Sequence, residues 1–394
     1  VDVVVVGAGY TGLSAARTLG RHGATVLVLE REEAGWGASG RNGGFVLPGF
    51  KPGVAELARR VGRDEAGALF ARSMEAVRFL EALVAEERLA CDFVRCGAIT
   101  LADRPSHLAE LEQERKTLLD VTGHETRLLD RSEVRSEIGS ARFHGGLLDP
   151  AAGSVHPAKY CAGLARAAER AGARVVERTA VLGVRRGAAG FEITTSRGPV
   201  RAREVLVATN GYTGPPFHRL RRRVVPIGSH IVATAPLEPG LAARLIPGGR
   251  VLSDTRHLLH YFRLSPDRRM LFGGRASFTP IGTARCARLL GEAMRAVFPE
   301  LASTPVDFAW SGNVCFTVDR MPHAGRLDGL HYALGYCGHG VAYSTWLGAR
   351  MGDRLAGRAE TPDHGRLRAI PLYGGRPWFL PLVGGYYRFR DWMS

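Results

Sequence analysis

Lysine is almost absent from this chain of 394 residues. Lys51, Lys116 and Lys159 are its only three, so a formal net charge of +15 rests almost wholly on arginine. The arginines are spread along the chain beside acids, as in Glu114–Arg115 and Glu169–Arg170. The densest run, residues 219–223, is too short to line a nucleic-acid groove. A solvated arginine surface without a nucleic-acid partner is the expectation. Long apolar runs are missing as well, none approaching the roughly 20 residues that span a bilayer, so no membrane partner is expected. The six cysteines lie far apart with no C-x-x-C pair, which indicates neither a zinc site nor a disulfide framework, and no metal ligands are assigned. Residues 1–6 read as a strand rather than a leader, and with reduced thiols the expected setting is cytoplasmic. A chain 45% hydrophobic and 23% charged is neither disordered nor fibrous, and its length suits two to three domains.

What is present begins at once. Val3 to Val6 form a β-branched run suited to a strand buried on both faces. Gly7, Gly9 and Gly12 follow as G-x-G-x-x-G, then an apolar-periodic helix through Leu13, Ala16 and Leu19, then a second strand ending at Glu30. Gly7 allows a tight turn, Gly9 lets backbone N–H groups approach a pyrophosphate, and Gly12 lets helix and strand pack closely. Glu30 suits ribose hydroxyls and would repel a 2′-phosphate. Strand, turn, helix, strand and acid in this order indicate a dinucleotide site. A second Gly-rich loop, residues 35–44, holds Trp36, Ser39, Arg41 and Asn42, suited to lying along a phosphate and close to a flat ring.

The fingerprint together with G-x-G-A-S-G-R-N-G-G at residues 35–44 resembles the D-amino acid oxidase-like FAD-dependent oxidoreductases, nearest the gamma-glutamylputrescine oxidase branch. The resemblance continues through residues 205–213, the W-x-G…T-x-D-x-x-P…G pattern from Trp310 to Gly325, and the G-Y-x-G-H-G turn at 335–340. It implies an α/β fold: a Rossmann-like FAD-binding domain interleaved with an α+β substrate domain on a mixed or antiparallel sheet. The FAD domain would take residues 1–46, 143–214 and 320–360, the substrate domain 47–142 and 215–319, and a tail at 361–394 would pack on the body.

The resemblance also implies the cofactor contacts. Gly7, Gly9, Tyr10, Thr11 and Gly12 come from the fingerprint, and Glu30 and Arg31 from the second strand end. Ala38, Ser39, Arg41, Asn42, Gly43 and Gly44 come from the loop. Val181, Ala208, Thr209, Asn210 and Gly211 follow, then Gly312, Gly338, His339, Gly340 and Val341. His339 opens a helix whose N-terminal dipole suits negative charge growing on the cofactor. Tyr261 is expected to wall the substrate side, although a core aromatic is an equal reading.

Departures from the family pattern carry as much. Relatives that act on α-amino acids hold the carboxylate with an Arg in W-x-G-x-R-P, where this chain has Val314–Cys315. Those oxidising sarcosine carry a Lys after the G-H-G turn, where this chain has Ala342. Their oxygen-activating Lys falls at Leu271, and their active-site His at Arg275. Lys51 is a candidate substitute. Some relatives attach FAD through a Cys three residues before the Thr. Cys315 stands two before Thr317, so a buried thiol and non-covalent FAD are expected. The implied substrate is a small primary or secondary amine without a nearby α-carboxylate, with O2 as acceptor. A dehydrogenase using another acceptor, and an enzyme acting on an aminomethyl group of tRNA, remain alternatives. The sequence leaves the oligomeric state open.

Overall fold

A computed structural model of the chain describes residues 1–274, 282–359 and 365–393. Its first sheet has six strands. Val3–Val6 pairs in parallel with Val26–Leu29 on one side and Glu204–Val207 on the other. Arg174–Val176 extends one edge and Leu330–Leu334, with its hairpin partner His323–Leu327, the other. The all-apolar first strand is explained by its two faces. Val3 and Val5 pack into a core with helices Tyr10–Arg21, Pro157–Arg170 and Val341–Leu355. Val4 and Val6 face a second core, closed by the antiparallel strands Val181–Gly187, Gly190–Thr195 and Gly198–Ala202.

The second sheet has eight strands, mostly antiparallel, and carries the alternation of a sheet with two different faces. Ile99, Leu101, Leu252, Phe262, Met270 and Phe272 point into one core against helix Thr283–Val297. Phe262 and Phe272 stack with ring centroids 5.3 Å apart, and burying each such ring is worth about 1.5–3 kcal/mol. The intervening residues Thr100, Ser253 and Tyr261 face the other way, toward the first sheet. Among the described residues no helix is long and apolar enough to cross a membrane.

One boundary differs from expectation. Strand Gly146–Asp149 lies within the stretch assigned to the cofactor domain, yet it pairs with Ala98–Leu101 and Arg127–Leu129 of the second sheet. Its Leu148 belongs to that sheet's core. We therefore propose that the crossing between units falls near residue 150 rather than 143. The tail forms helix Leu380–Met393, anchored on the second sheet's loops through Asp391.

Candidate active site

Four parallel strands end at the same edge of the first sheet, passing from Val6 to Gly7, Leu29 to Glu30, Val207 to Ala208 and Leu334 to Gly335. The crevice beyond the carboxyl ends of such strands is where open α/β sheets take their ligands. The G-x-G-x-x-G turn, the Gly-rich loop, residues 208–213 and the turn at 335–340 each follow one of these strands, whereas Trp310 and Gly312 come from strand Val306–Phe316 of the second sheet. At Gly12 a Cβ would sit 2.0 Å from the Gly7 carbonyl oxygen, so helix and strand approach too closely for any side chain. Gly7 itself has φ +105°. Helix Tyr10–Arg21 starts from Gly9 with no side-chain cap and no acid in its first turn, which leaves its N-terminus open to an anion.

The Gly-rich loop is braced from within. Asn42 donates from Nδ2 to the Ala38 and Ser39 carbonyls at 3.0 Å and accepts the Gly44 N–H at 2.7 Å. The Tyr10 N–H donates to Ser39 Oγ at 3.1 Å. Arg41 lies 4.2 Å over the Trp36 ring and donates to the Ser311 carbonyl, while the Trp310 indole donates to the Arg41 carbonyl at 2.9 Å. From beneath, the buried Arg263 donates to the carbonyls of Gly43 and Val155, both at 2.8 Å.

A cavity of about 310 Å³ runs from this cradle to the second sheet. At one end stands the turn from Tyr336 to Val341, held by Asn210 Oδ1, which accepts the Gly335 N–H at 2.9 Å. His339 opens on the cavity, but its Nδ1 is sealed from solvent without a hydrogen-bond partner. Loss of hydration, helped by the charge of Lys51, pushes the ring down to about 3, so it stays neutral. Helix Val341–Leu355 begins here, again with no side-chain cap and no first-turn acid. Cys315 is buried, and loss of hydration pushes its thiol well up and keeps it protonated.

At the other end the wall is a row of hydroxyls set by strand register. Thr100 pairs with Ser253, Ser253 with Tyr261, and Tyr261 with Gly273. Paired residues share a face, and a Cβ at Gly273 would lie 2.3 Å from the Tyr261 ring. The Tyr261 hydroxyl meets Ser229 Oγ at 2.9 Å, and Phe45 packs edge-on against its ring at 5.8 Å. Leu259 also lines the cavity, and Val314 lines it beside the turn, 3.9 Å from where a Cβ on Gly338 would stand. No carboxylate stands among the cavity's described lining residues; its charges are Arg41 and Lys51.

The structure thus brings together in one cavity Gly9, Tyr10, Thr11, Ala38, Ser39, Arg41, Asn42 and Gly43 with Ala208, Asn210, Gly312 and the turn 338–341. Lys51, Tyr261 and His339 line it too. Gly7, Gly12, Glu30, Arg31, Gly44, Val181, Thr209 and Gly211 do not line it. Glu30 sits at the sheet edge and already accepts the N–H groups of Ala8 at 2.8 Å and Glu32 at 3.0 Å. Arg31 is exposed beside Glu32. Arg275 lies outside the described residues. Thr100, Ser229, Ser253 and Leu259 also line the cavity and carry no local motif. Polar breaks in otherwise apolar strands signal the first three, and nothing local signals Leu259.

This arrangement, a dinucleotide cradle opening directly on a pocket against a second sheet, is that of a cofactor-dependent oxidoreductase. Comparison with known proteins makes the class specific. Residues 2–354 match the DAO family, described as FAD dependent oxidoreductase, and the chain belongs to it. It is 34% identical over 396 residues to gamma-glutamylputrescine oxidoreductase of Escherichia coli, covering 99% of this chain and 92% of that protein. It is likewise 34% identical over 400 residues to the probable oxidoreductase OrdL of Haemophilus influenzae, with the same coverage. Among solved structures, glycine oxidase from Geobacillus kaustophilus superposes with a TM-score of 0.78 over 95% of this chain and 99% of that one. At 21% identity this is a likeness of fold alone.

FAD is therefore the cofactor, and the residues present suit it. The close helix–strand approach at Gly12, the uncapped N-termini at Gly9 and Gly340 and the unpartnered Nδ1 of His339 all serve a large anionic, polar-edged group.

Proposed function

We propose that this chain oxidises a small primary or secondary amine that carries no carboxylate next to the nitrogen, to an imine that water hydrolyses to an aldehyde. One observation carries the reading: the end of the cavity facing the second sheet is built from neutral groups. Where an α-carboxylate would need a guanidinium, the wall is Val314; Ala342 is buried in its helix and outside the cavity. An α-carboxylate there would be desolvated without a partner, at a cost of several kcal/mol. The relative named gamma-glutamylputrescine oxidoreductase supports an amine, and an acylated diamine is its simplest form.

Bound FAD supplies the two-electron acceptor. The chain supplies the rest. Tyr261, fixed by Ser229 and flanked by Gly43 and Gly273, presents an aromatic face to an alkyl chain. Thr100, Ser229 and Ser253 offer hydroxyls to an amide or other neutral polar group. The N-terminus of helix Val341–Leu355 stabilises negative charge without itself titrating, and His339 stays neutral beside it. Lys51 is the cation of that end, near enough for its charge to act on both Cys337 and His339. We assign it the electrostatic stabilisation of reduced oxygen, with O2 taking two electrons and two protons to become H2O2. FAD is held without a covalent bond, since burial keeps the Cys315 thiol protonated.

The test is to bleach the bound flavin anaerobically with an N-acylated diamine and then admit air. The reading expects bleaching, an aldehyde product, and fast recovery of colour with stoichiometric H2O2. Slow recovery in air with fast recovery by a quinone or dye makes the enzyme a dehydrogenase instead.

A further inference from the structure

Loop residues 255–259 join strand Val251–Asp254 to strand His260–Leu264, and Leu259 lines the substrate end of the cavity. The loop is held from a point 134 residues away. The Asp391 carboxylate accepts the His257 N–H at 2.8 Å and the Leu258 N–H at 3.0 Å, and meets His257 Nδ1 at 3.0 Å. That carboxylate is 8% exposed. One turn earlier Tyr387 stacks on the His257 ring at 5.7 Å. Arg104 seals the arrangement from the other side, donating to the Asp391 carbonyl at 2.7 Å.

Among the described residues of the tail helix, Leu382, Tyr386 and Phe389 are 72%, 55% and 54% exposed, and Leu380 joins a hydrophobic core cluster. Three contacts from a single buried carboxylate tie the helix to the loop.

We infer that the tail helix is a latch on the substrate end of the cavity, and that Asp391 is a positioning residue. By fixing two consecutive backbone N–H groups, it sets where Leu259 stands and hence how long a substrate the cavity accepts. Nothing in the reaction chemistry passes through Asp391; it acts through the loop. The size-preference arm of the test rests on the amine reading above, and the exchange arm does not.

The experiment uses the FAD-loaded full chain and its Asp391→Ala and Asp391→Asn variants. Amide hydrogen exchange is followed at residues 257 and 258, and anaerobic flavin bleaching with short- and long-chain N-acetylated diamines. A charged hydrogen bond is worth about tenfold or more in an equilibrium, so exchange at 257 and 258 should rise by about tenfold or more in Asp391→Ala. Exchange at the fingerprint, residues 7–12, should not change. Concentration dependence for the long amine relative to the short one should shift by about threefold or more, with limiting bleaching rates kept. Asp391→Asn, which keeps an acceptor but turns an amide group toward a donor, should fall between, and stands in if Asp391→Ala does not fold. Unchanged exchange at 257 and 258, or raised exchange with unchanged size preference, overturns the inference. If the parent is bleached by neither amine, the amine reading fails and exchange alone decides the latch.

Discussion

Replacing Arg263 by methionine should loosen FAD more than it disturbs the fold. The guanidinium is 5% exposed and ties the Gly43 carbonyl of the cradle to the Val155 carbonyl of the neighbouring segment through two 2.8 Å hydrogen bonds. The fit is tight: a Cβ on Gly44 would lie 2.1 Å from the Val155 oxygen and 2.9 Å from an Arg263 nitrogen. Each hydrogen bond from a charged donor is worth about 1.5–3 kcal/mol, and methionine leaves both carbonyls unpaired. Against this, methionine removes a buried charge whose own desolvation is felt as a lowered tendency to ionise. The balance is a net loss of about 2–4 kcal/mol, concentrated on the loop that embraces the cofactor. At about 1.4 kcal/mol per decade, FAD affinity should fall by about 30- to 700-fold. Titration of apoprotein with FAD, followed by quenching of flavin fluorescence, measures it directly. Arg263→Lys, with one compact donor in place of a fork, should lie between. A Kd for FAD within about twofold of the parent in Arg263→Met would refute the bracing role.

Three further outcomes are expected. His339 is pushed down from 6.5 to about 3, so below pH 6.5 the unfolded chain binds a proton that the folded chain does not. Stability is therefore lost as pH falls from 6.5 toward 3, by about 1–2 kcal/mol between pH 7 and 4.5 after discounting for the open cavity face. Urea unfolding of apoprotein should show His339→Gln losing correspondingly less over that range, and equal losses would count against a neutral His339. Acid precipitation should leave the yellow flavin in the supernatant; colour in the pellet would mean that Cys315 or another side chain is bonded to it. Introducing the missing guanidinium, Val314→Arg, should move preference toward carboxylated amines by about tenfold, the worth of one charged hydrogen bond. No movement would show that position 314 does not face the substrate.

The half of the site on the first sheet was legible because its residues follow strand ends in the sequence. Gly7 to Gly12, Ala208 to Asn210 and Gly335 to Val341 each sit within a few residues of the strand that positions them, so local spacing preserves the geometry. The substrate wall has no such record. Thr100, Ser253 and Tyr261 come from three strands up to 161 residues apart in the chain and align only through register. Tyr261 was singled out by resemblance, whereas Thr100 and Ser253 looked like ordinary polar breaks in alternating strands. The pairing of strand Gly146–Asp149 with the second sheet is hidden for the same reason, since its partners, not its own residues, decide its sheet. The burial of Arg263 under the loop was invisible without the fold.

Whether the uncharged wall excludes an α-carboxylate is the central claim, and one measurement addresses it most directly. Paired amines, identical except for a carboxylate on the carbon bearing the nitrogen, are mixed anaerobically with the FAD-loaded protein while flavin absorbance is followed. Rapid bleaching by the uncarboxylated member alone is the expected result. Bleaching by the carboxylated member at an equal or faster rate would contradict the account. It would mean that a cation such as Arg41 or Lys51 reaches the carboxylate from the cofactor side of the cavity.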